Sequence, residues 1–247
     1  MSTNDLHQHL GPMLLGLALL LPACSGAKDK DAENPDADGT ATTQSTKPRN
    51  QPTVEAEVGA LDNEAVDRTY QKSLDAMLGC VNKALDRLPY LAGDVTIYLR
   101  VNKEGKLAYA YLENSTLGDR ATESCILNVL SRKTWPAPVG GNEGFAHLPF
   151  NLEKRGGVRE PTQWSASDAG KTVDAAREAA GKCAREVSAG PMKLTIHVDT
   201  DGNVIAAGAS GSDKNAERAA DCAVDAIRKL KFDSPGSYPA VLTLSVP

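Results

Sequence analysis

Hydrophobic and polar positions alternate with two different periods along this chain. Apolar residues at three- and four-residue steps predict a helix over about 61–88. An apolar residue at every second position then predicts a strand over about 94–101, and Gly105 marks the turn of a β-hairpin. A second helix over about 119–133 and a last strand over about 147–152 follow. The pattern therefore predicts the order helix, hairpin, helix, strand.

The same order occurs a second time. A helix is predicted over about 167–188, a hairpin turns at Gly202, and an amphipathic helix that Ser212 or Asp213 can cap follows it. A strand over about 239–246 closes the chain. We therefore predict an α+β fold with two small tandem domains and helices over one face of each sheet. We refer to residues 61–153 as the first repeat and 167–247 as the second repeat, with 154–166 as a predicted linker.

Both repeats contain the same three residue types at the same spacing. A turn glycine is followed after 20 residues by a cysteine, and after 10 more by a large aromatic residue. The members are Gly105, Cys125 and Trp135 in the first repeat and Gly202, Cys222 and Phe232 in the second. The shared spacing indicates duplication of one fold unit.

Four of the five cysteines fall two per repeat. Four cysteines permit three connectivities, and only Cys80–Cys125 with Cys183–Cys222 keeps each bridge within its own repeat. We therefore predict these two disulfides, which small domains use to supplement a limited core. Metal ligation is disfavoured because no CxxC spacing occurs.

The N-terminus has the pattern of a targeting segment. An apolar run at 13–21 ends in Leu-Pro-Ala-Cys, which resembles the bacterial lipobox. We predict a lipoprotein signal peptide over 1–23, lipidation at Cys24 and, because Ser25 follows it, placement at the outer membrane facing the periplasm. Residues 24–60 have almost no large apolar residue and are expected to form a disordered tether.

Composition excludes several function classes. A net charge of -5 without a basic run argues against nucleic acid as a partner. No Walker loop, GxSxG or HExxH motif occurs, so we expect no enzyme, no cofactor and no small-molecule substrate. His147 and His197 are both interpreted as exposed strand residues rather than as a base or a metal ligand.

The first repeat resembles a known family. Cys125-Ile126-Leu127, Trp135-Pro136-Ala137-Pro138, Gly140-Gly141 and Leu148-Pro149-Phe150 resemble the AgmX/PglI C-terminal domain of envelope and gliding-motility proteins. That family is similar to the TonB C-terminal fold, so the resemblance implies a protein-binding domain of the periplasm. The second repeat is a divergent copy, because it lacks the Pro-Ala-Pro and double-glycine stretch.

These patterns predict a lipid-anchored protein whose disulfide-stapled modules bind an envelope protein without catalysis. A partner strand added to a sheet edge is one mode of such binding. The alternatives are a periplasmic thiol/disulfide-active protein, which would need an exposed cysteine with a lowered pKa, and a purely structural envelope spacer.

Overall fold

The computed structural model describes residues 58–247, in which helices and strands are mixed throughout. The helices are α1 (Asn63–Leu85), α2 (Arg120–Ser131), α3 (Thr172–Glu186) and α4 (Lys214–Ile227). The strands are β1 (Gly93–Asn102), β2 (Leu107–Ser115), β3 (Glu143–Leu152), β4 (Thr162–Trp164), β5 (Met192–Val198), β6 (Val204–Gly211) and β7 (Ala240–Val246). The α+β class and the order helix, hairpin, helix, strand in each repeat are confirmed. The predicted signal peptide, Cys24 and the tether as far as residue 57 lie outside the described residues.

Each repeat builds its own sheet. The first sheet has the order β2-β1-β3 and is antiparallel throughout. The second has the order β4-β7-β5-β6, in which only β4 runs parallel to its neighbour. The two sheets nevertheless belong to one compact unit, which contains all of the described residues.

A separate hydrophobic core lies under the inner face of each sheet. In the first repeat, alternate β1 residues from Val95 to Val101 are buried against α1 and α2. In the second repeat, Leu194 and Ile196 pack against α3 and α4, whose buried positions are largely alanine. The small side chains allow the two helices to pack closely.

The glycine–aromatic spacing has the same structural origin in both repeats. Gly105 and Gly202 have φ of 74° and 86°, a region that glycine adopts without steric cost. The backbone N–H of Trp135 donates to the Gly105 carbonyl and that of Phe232 donates to the Gly202 carbonyl, each at 2.8 Å. A Cβ on either glycine would collide with the carbonyl oxygen of the same aromatic residue. The hairpin turn therefore holds the chain segment that closes each core.

Both predicted disulfides are present. Cys80–Cys125 joins α1 to α2 and Cys183–Cys222 joins α3 to α4, with Cα atoms 5.8 Å apart in each bridge. Asp119 and Asp213 cap the second helix of each repeat through their side chains, as the sequence indicates. The repeats therefore share their staples as well as their element order.

Three boundaries differ from the prediction. The expected linker 154–166 contains strand β4, which pairs with β7. Helix α3 begins at Thr172 rather than near 167, because Gly170 takes a positive φ just before it. Strand β3 begins at Glu143 rather than 147, because it pairs with β1 over the full length of that strand.

The end of the predicted tether also makes contacts. Val58 and Ala60 form isolated bridges with Glu143 and Val139. The backbone N–H of Gly59 donates to the Glu143 carbonyl at 2.6 Å. The last residues of the tether are thus fixed beside the start of β3.

Candidate functional site

The outer face of the first sheet carries a cluster of stacked rings. We call it the aromatic face; it consists of Tyr98, Tyr109, Tyr111, Phe145 and His147. The ring centroid of Tyr98 lies 4.8 Å from Tyr111, 5.3 Å from His147 and 5.9 Å from Phe145. Aromatic pairs at such separations stabilise one another beyond their burial.

Strand register explains why these rings meet. Tyr98 in β1 pairs with Tyr111 of β2 on one side and with His147 of β3 on the other. Successive side chains point to opposite faces of a sheet, so the core residues on either side of Tyr98 point to the helices and Tyr98 points away. The cores that α1 and α2 form include no residue of the aromatic face. Phe145 remains 46% exposed.

Charged groups border the aromatic face. Arg100 donates to Glu143 at 2.7 Å, and His147 Nδ1 lies 2.8 Å from a Glu113 oxygen. The Lys214 ammonium lies 5.3 Å from the centre of the Tyr109 ring. An aromatic centre within a polar border has the composition of many protein-binding surfaces. His147 is about half exposed, which confirms the expected strand residue.

The edge of β3 lies beside this face. Within residues 58–247, β3 pairs along its length only with β1, and Val58 covers only its first residue. Unpaired N–H and C=O groups of an edge strand are a template for a further strand. Phe145 and His147 lie on the same strand, so a strand added there would lie next to the aromatic face.

Part of the outer face of the second sheet is covered instead, at β5 and β6, whereas Thr243 and Ser245 of β7 are exposed. His197 of β5 is only 3% exposed, so its interpretation as an exposed residue is wrong. Its Nε2 lies 2.8 Å from the Leu117 carbonyl of the first repeat, and must carry the hydrogen because a carbonyl only accepts. Burial lowers the pKa of His197, so the ring is neutral. The sequence could not reveal this, because the covering residues lie 80 positions away.

A buried carboxyl group joins the two repeats. Glu123 of α2 is 1% exposed and accepts from Ser115 Oγ at 2.6 Å and from the Ala209 N–H of β6 at 3.1 Å. Burial raises the pKa of Glu123 to about 7, against the weaker opposing effect of these hydrogen bonds. Glu123 is not among the candidate residues predicted from the sequence. Its three- and seven-residue steps to Ile126 and Leu130 are the signal that places it on the buried helix face.

An ion-pair network lies next to Glu123. Arg120 donates to Glu217 at 2.6 Å and to Asp221 at 2.7 Å, and both acceptors belong to α4 of the second repeat. Arg120 itself is only 12% exposed. The two repeats are therefore joined by a largely buried Arg120–Glu217 pair and by a second pair to Asp221, which is 75% exposed.

The predicted site residues that the structure describes are brought together only as disulfides. Each bridge lies within one repeat, and Cys80 and Cys183 are both buried. Among residues 58–247, no group of three or more His, Cys, Asp or Glu is placed to hold a metal ion. No helix in this part of the chain combines the length and hydropathy needed to cross a membrane.

Comparison of the chain with protein-family models, with curated proteins and with solved structures finds no significant match. The resemblance of the first repeat to the AgmX/PglI C-terminal domain therefore stays a prediction.

Proposed function

We propose that this chain is a lipid-anchored protein of the cell envelope that faces the periplasm and binds a protein partner without catalysis. The observation that carries the proposal is the aromatic face together with the unpaired edge of β3. Tyr and Phe offer a large contact area at a low cost in conformational entropy, so they are enriched in protein interfaces.

The proposed binding mode is addition of a partner strand to β3. Backbone hydrogen bonds to the edge would supply affinity, and side chains of the added strand would contact Phe145 and His147. The Glu143 carbonyl already accepts from the Gly59 N–H, and Pro149 interrupts the edge because it has no N–H. The pairing is therefore expected between Gly144 and Leu148. That stretch is also the one that carries the exposed Phe145 ring.

The anchor and tether place this surface within reach of a partner. Lipidation at Cys24 would hold the chain at the membrane, and a tether of 33 residues, 25–57, would span roughly 29–34 Å if it behaves as a flexible chain. Cys80 and Cys183 are buried, which favours structural bridges, whereas Cys222 is exposed and keeps a thiol/disulfide-active protein as the alternative function.

The binding surface is tested by photo-crosslinking in the native cell. A photoreactive phenylalanine analogue at Phe145 is expected to give a discrete crosslinked protein. The same analogue at Leu78, which lies on α1 and is 42% exposed, serves as the matched control. Crosslinks of equal intensity at both positions, or none at Phe145, would contradict the proposed surface.

The anchor is tested separately. Metabolic labelling with a fatty acid should label the wild-type chain, and Cys24→Ser should abolish the label and release the protein from the membrane fraction. A Cys24→Ser protein that stays labelled would contradict lipidation at this position without affecting the crosslinking result.

A further inference from the structure

The first three described residues lie across the beginning of the β3 edge. We call Val58, Gly59 and Ala60 the strap. The Gly59 N–H donates to the Glu143 carbonyl at 2.6 Å, and Ala60 exchanges two backbone hydrogen bonds with Val139, at 3.0 and 2.9 Å. Glu143 is the first residue of β3. The strap therefore occupies one end of the same strand edge that the proposed partner would use.

Two glycines allow the strap to cross close to the loop before β3. A Cβ on Gly141 would lie within 2.9 Å of three backbone atoms, all of which belong to Val58 and Gly59. A Cβ on Gly59 would lie 2.7 Å from the Val139 carbonyl oxygen and 2.8 Å from the Gly141 nitrogen. Neither glycine has a positive φ, so the contact requires the absence of a side chain rather than a special backbone conformation.

Little apolar burial holds the strap in place. Val58 is 44% exposed and Val139 is 74% exposed. The chain packs against the core from Leu61 onward, whose side chain lies against Gly144. A segment with few buried contacts, held by backbone hydrogen bonds near solvent, opens at a low cost in free energy. The strap can therefore detach while the first helix and the sheet stay folded.

The rest of the β3 edge is short. Backbone groups of an antiparallel strand point alternately to its two sides, and β3 pairs with β1 without a register shift. The Glu143 carbonyl points to the edge, so every second residue after it does too, namely Phe145, His147 and Pro149. Pro149 has no N–H, and its carbonyl accepts from the Tyr70 hydroxyl. In the described part of the chain, Phe145 and His147 thus remain to pair with a partner strand, over about 17 Å.

Detachment of the strap would return the Glu143 carbonyl to this edge. A third residue of β3 would then face the partner strand, beside Phe145 and His147. Each backbone hydrogen bond gained is worth roughly two- to tenfold in affinity. The strap and a partner strand therefore compete for the same carbonyl group.

We propose that the strap is an autoinhibitory contact, which covers the first residue of the β3 edge and which the partner strand must displace to pair along the whole edge. This role of the strap rests on the proposed function, because it takes the partner strand to bind at β3. The strap is the end of the predicted tether, so the segment that leads to the anchor would also limit access to the binding edge.

Gly141→Ala should release the strap, because the three atoms nearest to the new Cβ are all strap atoms. In the full chain, amide hydrogen exchange of Val139, whose N–H donates to Ala60, should become at least about tenfold faster. The matched control is Gly79→Ala on α1, where a new Cβ meets nothing within 4 Å, so exchange at Val139 should equal that of wild type. Unchanged exchange in Gly141→Ala would contradict the close crossing.

A pair of cysteines should lock the strap instead. Ala60 and Val139 exchange both backbone hydrogen bonds, so their Cα atoms lie about 5.5 Å apart, a separation that a disulfide spans. Photo-crosslinking at Phe145 should rise at least about twofold in Gly141→Ala and fall as much in Ala60→Cys with Val139→Cys. Each single cysteine variant is the control and should crosslink like wild type.

The crosslinking result separates the two proposals. Equal yields in the released, locked and wild-type chains would overturn the competition between strap and partner, and leave the binding surface intact. Absence of a crosslink at Phe145 in every chain would instead contradict the proposed function, and the role of the strap with it.

Discussion

The outer faces of the two sheets differ in how much of each is covered, although the repeats share element order, turn glycines and disulfide positions. In the first sheet this face carries stacked aromatic rings and Phe145 stays exposed. In the second sheet the equivalent face carries Thr195 and His197, and both are buried under the first repeat. Two copies of one element order thus differ in their outer faces: the first keeps Phe145 exposed, and the second contributes Thr195 and His197 to the contact between the repeats, which we call the internal joint.

Small residues make the internal joint possible. Gly208 of β6 lies so close to the Glu123 carboxyl group that a Cβ there would collide with it. Gly118 approaches His197 in the same way from the other side. The repeats therefore differ in side-chain size and polarity on the outer faces of their sheets, in addition to the alanine-rich helices that cover the second core.

The largest expected effect on the free energy of unfolding comes from removing a disulfide, a feature that both repeats share. Replacing either cysteine pair by alanine, Cys80 with Cys125 or Cys183 with Cys222, should lower the free energy of unfolding by about 4 kcal/mol. The sequence separations of 45 and 39 residues make the two losses nearly equal in the chain-entropy model. Denaturant titration of both variants measures this. A loss of stability in only one of the two variants would show that the two disulfides are not equivalent.

Removing the ion pairs between the repeats should lower the free energy of unfolding slightly less. Arg120→Ala leaves the largely buried Glu217 without its cation, which is expected to lower the free energy of unfolding by about 3 kcal/mol. Arg68→Ala removes an exposed pair with Glu64 and should change it by less than about 1 kcal/mol. Equal effects of the two variants would indicate that the ion pairs between repeats contribute nothing specific.

Glu123 makes the joint sensitive to pH. Its pKa is about 7 in the folded chain against an ordinary value of 4.5, so the folded state binds the proton more tightly. The protonated Glu123 carboxyl therefore stabilises the folded state fully below about pH 4.5. This stabilisation, roughly 3 kcal/mol in total, is lost as the pH rises to about 7.

Glu123→Gln isolates this effect, because glutamine resembles the protonated acid. His197, whose pKa is lowered, acts in the opposite direction and is common to both proteins. Glu217 and Arg120, the charged groups nearest to Glu123, are also common to both. Thermal unfolding from pH 5 to pH 8 should show wild type losing stability relative to Glu123→Gln. Parallel curves would contradict the buried, protonated Glu123.

Two glycine substitutions test how closely the two repeats approach each other. Gly118→Ala should lower the free energy of unfolding by about 3 kcal/mol, since φ is 66° and the new Cβ would lie 2.8 Å from His197 Nε2. Gly140→Ala has a similar φ of 80° with no atom near the new Cβ, so about 1 kcal/mol is expected. The difference between the two variants measures the contact between repeats. A difference near zero would contradict it.

The smallest effect on stability is expected on the aromatic face. Phe145→Ala removes a ring that is 46% exposed, so the free energy of unfolding should fall by less than about 1 kcal/mol. Partner capture through an analogue placed at the neighbouring His147 should nevertheless be lost. Retained crosslinking would place the partner elsewhere.

Local sequence patterns were sufficient to predict most helices and strands and both disulfides. Helix and strand periods, the caps at Asp119 and Asp213, and two cysteines per repeat all act over short sequence distances or within one repeat. Strand β4 was missed because three residues are too few for a period to be recognised. The early start of β3 was missed because its length follows from pairing with β1.

The sequence by itself determined two copies of one stapled α+β unit, because hydrophobic period and turn chemistry are local properties. Only the tertiary structure decided which outer face is covered, because the contacts of His197 with Leu117 and of Glu123 with Ala209 join residues 80 or more positions apart. A polar residue on a strand is expected to be exposed, unless a distant part of the chain covers it and supplies its hydrogen-bond partner. Docking of the repeats made that choice and left Phe145 and His147 exposed on the aromatic face.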